Sequence, residues 1–182
     1  KLIYDGKRHV SIASLGKDIY DLTFTVNGVS KSYSMTGWRI GYAAGPADVM
    51  KAIGNLQSHA TSNPASISQK ATLVALAQDQ SFIEDMRREY EKRRDYMITR
   101  IGAMKNISCF KPGGAFYLFC DISKTGSDSL KTAKALLDQA KVAVIPGGPF
   151  GADDYIRLSF ATGMEAIKKG MDRMEEYFNK NG

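Results

Sequence analysis

Short runs of β-branched and aromatic residues near the start of the chain predict a pair of strands. Residues 23–26 have this composition and residues 38–43 read as a second strand, while Asn27 and Gly28 are a turn or bulge signal. An antiparallel pairing of the two runs would bring the residues that connect them to one end of a sheet. Residues 1 to about 45 are therefore predicted to form strands and turns.

Helical spacing of apolar residues replaces the strand pattern from Pro46 onward. Pro46 begins one predicted helix, Asn63 and Pro64 cap a second, and Ser81 with Glu84 has the spacing of a capping box at the head of a third. In this third and longest helix, apolar residues recur at helical spacing and basic residues occupy the opposite face. The basic residues are Arg87, Arg88, Lys92, Arg93 and Arg94.

The remainder of the chain alternates short strands with helices, as in a small α/β domain. The strand candidates are residues 108–110, 115–122, 142–145 and 155–160. A helix is predicted from Ser129 to about Lys141, and a last helix carries apolar residues on one face. These inward residues are Met164, Ile167, Met171, Met174 and Phe178. The sequence thus divides into residues 1–80 and residues 81–182, with the long helix as the link.

The composition is that of a globular chain with a basic excess. It has 182 residues, 43% of them hydrophobic, a net charge of +6 and a pI near 9.2. The Arg-Arg-Glu-Tyr-Glu-Lys-Arg-Arg run at residues 87–94 invites a nucleic-acid interpretation. Because Glu89, Glu91 and Asp95 alternate with these cations, ordinary pairing within a helix is favoured instead. No nucleic-acid partner is expected.

The cysteines, the histidines and the lengths of the apolar runs argue against several other classes. Cys109 and Cys120 are too few and too differently placed for a disulfide framework, and His9 and His59 lack ligand spacing. The cysteines are interpreted as small buried thiols, and no metal site is expected. No apolar run approaches the ~20 residues of a membrane helix, so a cytoplasmic setting without membrane contact is the default expectation.

The strongest chemical candidates are a lysine and an arginine in the run that joins the two predicted strands. Lys31 follows the small residues Gly28 and Ser30, and Arg39 comes later in the same run. A lysine amine can form a Schiff base with a carbonyl, and an arginine fork can bind a phosphate through two parallel hydrogen bonds. Pyridoxal phosphate needs both groups. The alternative is a solvated lysine and a surface arginine stacked on Trp38.

Residues 28–41 read Gly-Val-Ser-Lys-Ser-Tyr-Ser-Met-Thr-Gly-Trp-Arg-Ile-Gly, and this run resembles the lysine signature of class I aminotransferases, which are fold type I pyridoxal-phosphate enzymes. Its later part is most similar to bacterial aspartate and broad-specificity aminotransferases. The resemblance implies that Lys31 carries the Schiff base, that Arg39 binds the cofactor phosphate, and that Ser30 is a further cofactor contact. Well-studied aspartate aminotransferases have a phosphate-binding serine three residues before the lysine, where this chain has Gly28.

A further arginine interrupts an alternating strand pattern late in the chain. An arginine inside a strand needs a partner, and for Arg157 this could be the neighbouring carboxylate of Asp153 or Asp154. The run Arg-Leu-Ser-Phe-Ala also resembles the aminotransferase segment whose arginine clamps the substrate α-carboxylate. The resemblance implies that Arg157 holds an amino acid through a bidentate contact, with its Cα–H bond perpendicular to the cofactor ring.

Two glycine-rich stretches, residues 111–117 and 145–151, flank strand candidates. They lack the features of nucleotide-binding loops, and turns at strand ends explain most of their glycine and proline content. The resemblance implies that both also approach the substrate as pocket walls. No catalytic role is assigned to Phe116 or Tyr117.

The resemblance implies that the chain is the C-terminal portion of a longer enzyme, and the opening without an initiator methionine agrees with this. The expected fold class is α/β, with the end of a large-domain sheet in residues 1–80. The interdomain helix and a small C-terminal α/β domain would follow in residues 81–182. Because the partner of the cofactor's ring nitrogen would lie in the missing part, the isolated chain is expected to be nearly inactive.

The implied activity is amino transfer from an amino acid such as aspartate to a 2-oxo acid, with Lys31 also moving the Cα proton. A pyridoxal-phosphate β-lyase would use Lys31, Arg39 and Arg157 equally well. A non-catalytic domain that binds a ligand or a partner is the alternative from a different class. For the full-length enzyme a homodimer is expected, since active sites in this family lie at a subunit interface.

Overall fold

The computed structural model describes residues 1–180, which form two compact units. Unit 1 comprises Lys1 and Arg8–Asp85, and unit 2 comprises Leu2–Lys7 and the chain from Met86 onward. The second passage between the units therefore falls inside one helix, α5 (Ser81–Gly102). The predicted division into residues 1–80 and 81–182, as parts of a large and a small domain, stays a prediction.

Unit 1 contains an antiparallel pair of strands, β1 (Thr25–Gly28) and β2 (Gly41–Ala44), in which Gly28 pairs with Gly41. The pairing confirms the predicted direction. The second strand begins later than predicted, because the chain first forms a 3-10 turn at Thr36–Trp38. The helices of this unit are α1 (Lys17–Asp21), α2 (Val29–Ser32), α3 (Ala47–Ala60), α4 (Ser66–Ala77) and the start of α5.

Few apolar side chains of unit 1 are buried. Helix α3 begins after Pro46 as predicted, yet none of its residues is buried, and Leu56 on its apolar face is 71% exposed. In α4 the buried residues are Thr72 and Ala75, whereas the apolar residue Ile67 is 77% exposed. The predicted helices are present, but an apolar stripe is buried only where another element covers it.

Unit 2 is an antiparallel four-stranded sheet with helices packed beside it. The strand order is β3 (Ser108–Cys109), β4 (Tyr117–Asp121), β6 (Tyr155–Ser159) and β5 (Ile145–Pro146). The remaining helices are α6 (Ser129–Ala135), extended by a π-helical turn at Leu136–Ala140, and α7 (Met164–Lys180). The predicted strand at residues 142–145 is wrong except at Ile145. Within residues 1–180, no helix is both long and apolar enough to cross a membrane.

The core of unit 2 lies on one face of this sheet, against α5 and α7. Leu118, Cys120, Ile156 and Leu158 point into it from β4 and β6. The predicted inward face of α7 is confirmed by its buried residues, which are Ile167, Met171, Met174 and Phe178. Side chains alternate across a strand, so the intervening residues of β4 and β6, Arg157 among them, project from the opposite face of the sheet.

Arg94 is completely buried, although the helical pattern placed it on the charged face of α5. Its two terminal nitrogens each donate to the Asp5 carboxylate at 2.8 Å, and one also donates to the Pro112 carbonyl at 2.9 Å. The guanidinium lies over the Tyr4 ring, 4.5 Å from its centroid. The segment Leu2–Lys7 supplies the acid and the ring, so a spacing rule confined to one helix could not find this environment.

The Asp5 carboxylate makes the stability of the protein sensitive to acid. The hydrogen bond from Arg94 is the main reason that the pKa of Asp5 is lowered from 3.8 to about 2. A carboxyl group with a depressed pKa stabilises the folded state above its unfolded pKa, and this contribution is lost as the pH falls through the folded value. The sensitive interval therefore runs from about pH 4 down to about pH 2.

We expect the urea midpoint of wild-type protein to fall more steeply across this interval than that of Asp5→Asn, because the variant has already lost the ionisable group. Circular dichroism at a series of pH values measures the midpoints. Asp18→Asn is the matched control, since Asp18 is an exposed carboxylate on α1 outside the Arg94 network, and it should keep the wild-type slope. Equal slopes in all three proteins would contradict the assignment.

Candidate active site

Lys31 lies on the short helix α2, which begins directly after β1. Val29 at the first position of the helix is fully buried, and its N–H donates to the Ile40 carbonyl at 3.3 Å. Beyond the helix, the Tyr33 hydroxyl donates to the Gln80 side chain at 3.0 Å. The helix is thus attached at both ends. The Lys31 side chain is exposed, and within residues 1–180 its amine has no hydrogen-bond or ion-pair partner.

The small residues before the lysine allow a close approach of the two strands. A Cβ atom at Gly28 would lie 3.1 Å from the Ile40 carbonyl oxygen and 3.6 Å from the Gly41 Cα. A serine at this position would require the strand end to move by a few tenths of an ångström. Ser30 is half-buried within α2, so it is the hydroxyl in this segment nearest in sequence to the lysine on its N-terminal side.

Arg39 has a left-handed backbone conformation, with φ 54° and ψ 45°. For a residue other than glycine this costs on the order of 1–3 kcal/mol, and such conformations concentrate at functional sites. The Nη1 atom of Arg39 donates to the Thr36 carbonyl at 2.9 Å, and the side chain is otherwise exposed. Because β1 pairs with β2, Lys31 and Arg39 lie on segments that leave the same end of the strand pair, as the sequence predicted.

Arg157 lies on the outward face of the sheet in unit 2, where two aromatic rings enclose its guanidinium. The central carbon of the guanidinium is 4.4 Å from the centroid of Tyr117 and 4.8 Å from that of Phe150. Cation–π contacts of this kind restrict the position of the cation and remove water from its faces. The planar edge, which carries the N–H donors, is left for another group.

The guanidinium of Arg157 has no counter-ion among the described residues 1–180. Neither Asp153 nor Asp154, the partners considered from sequence, forms an ion pair with it; Asp153 instead accepts the Ser129 hydroxyl at 2.6 Å. A partly exposed guanidinium without an acidic partner can accept a negative charge from a ligand. An arginine edge of this kind matches a carboxylate, which it can bind through two parallel hydrogen bonds.

Both glycine-rich stretches contribute a ring to this arrangement. Phe150 ends a 3-10 turn at Gly148–Phe150, and a Cβ at Gly147 would lie only 2.1 Å from the Ala152 carbonyl oxygen, so this turn needs a glycine. Tyr117 is the last residue of the other stretch and the first residue of β4. The sequence pattern did not indicate either ring as a partner of Arg157. The available signal was the position of each ring. Tyr117 and Phe150 are both aromatic residues next to glycine-rich turns.

The structure thus places Lys31 and Arg39 in unit 1, on segments at the same end of the strand pair, and Arg157 in unit 2. Unit 1 offers an unpartnered amine and an exposed guanidinium, groups that suit a phosphorylated carbonyl compound. Unit 2 offers a guanidinium edge, held between two rings, of the kind that can bind a carboxylate.

Comparison with known proteins places the chain in a family. Residues 1–174 match the model of the family described as aminotransferase class I and II, and the chain belongs to this family. Aspartate aminotransferases use pyridoxal 5′-phosphate, so the predicted cofactor is that of the family.

Individual relatives agree with this assignment. The chain is 44% identical to the aspartate aminotransferase of Geobacillus stearothermophilus over 97% of this chain and 46% of that protein. It is also 44% identical to a probable aspartate/prephenate aminotransferase of Rickettsia bellii, over 96% of this chain and 46% of that protein. The chain therefore spans about half the length of the curated relatives that it matches.

A solved structure confirms the fold class. The crystal structure of the aspartate aminotransferase from Rhizobium meliloti superposes with a TM-score of 0.93 at 38% identity, covering 98% of this chain and 47% of that one. The α/β fold expected of a fold type I enzyme is confirmed, as is the resemblance to class I aminotransferases.

Proposed function

We propose that the full-length protein is a pyridoxal-phosphate-dependent aminotransferase that moves an amino group from aspartate, or a similar amino acid, to a 2-oxo acid. The observation that carries this proposal is the unpartnered Lys31 amine on α2, at the same end of the strand pair as the left-handed Arg39. Membership of the aminotransferase family supports it, and the names of the relatives support aspartate as the first donor to test.

The residues present fit the cofactor. Lys31 would hold it covalently through Nζ, Arg39 would bind its phosphate with the nitrogens that Thr36 does not use, and Ser30 would be a further contact. No protein carboxylate among residues 1–180 competes for either cation. When bound, the cofactor supplies an electron sink for the charge that develops at the substrate Cα.

Two residues of the chain would then act on the substrate. Arg157 binds the α-carboxylate through two parallel hydrogen bonds and so orients the Cα–H bond. The Lys31 amine, once free and neutral, removes the Cα proton as a general base. Both roles use charged groups that have no acidic partner among residues 1–180. A homodimer is proposed for the full-length protein from its family membership, and light scattering tests it.

A substrate panel tests the proposed reaction on the full-length protein loaded with cofactor. Each amino acid is offered with and without 2-oxoglutarate, and glutamate and free ammonia are both measured. Glutamate that forms only when the acceptor is present identifies an aminotransferase and its donor. Pyruvate and ammonia released without any acceptor would identify a β-lyase instead and would overturn the proposal.

The rings beside Arg157 should affect substrate binding. We expect Tyr117→Leu and Phe150→Leu each to raise the KM for the amino acid, because a cation–π contact contributes about 0.5–2 kcal/mol, which corresponds to roughly a 2- to 30-fold change. Steady-state kinetics measure the effect. Phe110→Leu is the control. It alters an exposed ring that follows β3 in the same unit, and it should leave KM unchanged. A fall in kcat with unaltered KM would show that the rings do not position the carboxylate-binding group.

A further inference from the structure

Cys109 and Cys120 lie directly opposite each other on β3 and β4. Directly opposed residues of antiparallel strands have Cα atoms about 4.5–5.5 Å apart, within the range of about 4.4–6.8 Å that disulfides bridge. Their side chains are on the same side of the sheet, because Cys120 belongs to the core and Cys109 packs against that core. The Cys109 Sγ lies 3.4 Å from each of the carbonyl oxygens of Phe110 and Phe119.

Sequence spacing gave no sign of this pair. The spacing predicts small buried thiols, and both cysteines are free thiols in the structure. The strand register brings them together: the chain reverses between β3 and β4, so residues separated in sequence become direct neighbours. Neither thiol has a role in the proposed aminotransferase chemistry.

The two thiols differ in access and in acidity. β3 is the edge strand of the sheet, and Cys109 on it is partly exposed, whereas Cys120 is fully buried. The neighbouring Cys120 thiol lowers the pKa of the Cys109 thiol. The Cys109 thiol, together with burial, raises the pKa of Cys120. Cys109 is therefore the thiol that ionises first and that a small oxidant can reach.

We propose that Cys109 and Cys120 are a reversible oxidation site, in which hydrogen peroxide converts the dithiol to a disulfide between β3 and β4. The Cys109 thiolate attacks one peroxide oxygen, the O–O bond breaks, and the sulfur becomes a sulfenic acid while the other oxygen leaves as water after protonation. The Cys120 sulfur then attacks the Cys109 sulfur. The S–S bond forms, the S–O bond breaks, and the second water leaves with the proton of Cys120.

The balance of this reaction needs one peroxide and nothing else. Two thiols lose one hydrogen atom each and are oxidised to a disulfide, and the peroxide is reduced to two molecules of water. A thiol reductant reverses the reaction by exchange through a mixed disulfide. The opposed geometry makes the second step intramolecular, so the sulfenic acid should be captured before a further peroxide oxidises it.

Peptide mapping of the full-length protein tests the proposal. The protein is treated with hydrogen peroxide, denatured, alkylated and digested with trypsin, which leaves residues 106–124 as one peptide because Lys111 precedes Pro112. We expect this peptide to carry no alkyl group and to be lighter than its reduced form by two hydrogen atoms. Chymotryptic cleavage inside it should separate the two halves only after reduction, and reduction should restore both alkylation sites.

Single variants separate the two steps. Cys120→Ala should stop at a sulfenic acid on Cys109, which dimedone captures, and Cys109→Ser should leave the buried Cys120 unmodified. The mapping of wild-type protein decides the proposal even if a variant folds poorly. Three wild-type outcomes would overturn it: no reaction of either cysteine, oxidation of Cys109 without a link to Cys120, or a link from either residue to a cysteine elsewhere.

Discussion

Lys31→Ala in the full-length protein should abolish amino transfer, together with the near-visible absorbance that pyridoxal phosphate acquires when it is bound to a lysine. The amine has two proposed tasks, the covalent attachment of the cofactor and the removal of the Cα proton. General-base catalysis alone contributes about 100- to 10,000-fold to a rate, so a loss of at least about three orders of magnitude in kcat is expected. A spectrum and a coupled transamination assay on the same preparation measure both effects.

Two controls separate the nucleophile from the charge. Lys31→Arg keeps a positive charge at the position but cannot form a Schiff base, so it should be as inactive as the alanine variant. Lys51→Ala removes an exposed charge from α3 in the same unit and should retain wild-type absorbance and rate. The assignment of Lys31 would be wrong if its alanine variant kept the absorbance and transferred amino groups at the wild-type rate.

Arg157→Ala should weaken the use of every amino acid and 2-oxo acid substrate, because all of them share the α-carboxylate. Hydrogen bonds to a charged group contribute about 1.5–3 kcal/mol each, so losing two of them should lower kcat/KM by roughly two to four orders of magnitude. The loss should be similar for aspartate and for a monocarboxylic amino acid, and steady-state kinetics with both substrates measure it.

Arg157→Lys tests the geometry of this contact. It keeps the charge but loses the planar fork and its position between the Tyr117 and Phe150 rings, so we expect an intermediate loss. Arg173→Ala is the control. It removes a basic residue from α7, outside the strand β6 that carries Arg157, and it should have little effect. If Arg157→Ala impaired only dicarboxylic substrates, Arg157 would bind the side chain of the substrate and not its α-carboxylate.

Sequence patterns predicted the helices of this chain better than the burial of their side chains. The period of α7 predicted its buried face, because α7 packs on the sheet of its own unit. The same kind of pattern failed in α3, none of whose residues is buried. Periodicity indicates that a helix has an apolar stripe, whereas burial of that stripe depends on another element that covers it. Within residues 1–180, no such element covers α3.

The candidate site shows the same division between local and distant information. The Lys31 run could be recognised from sequence because its residues are close together in the chain and its chemistry is specific. The setting of Arg157 could not be recognised in this way. Its rings come from β4 and from the turn before Gly151, and the acids nearest to it in sequence do not pair with it. The roles of these residues, and that of Ser30, stay predictions until the variants are measured.

By itself, the sequence determined the family, the cofactor class, the order of most helices and strands, and the lysine to test first, since each of these depends on short runs of neighbouring residues. The tertiary structure alone decided the pairings between distant segments. It buried Arg94 against Asp5, enclosed Arg157 between two rings, and placed Cys109 opposite Cys120. Such contacts depend on strand register and on which elements pack together, and neither is encoded in the spacing of residues along one segment.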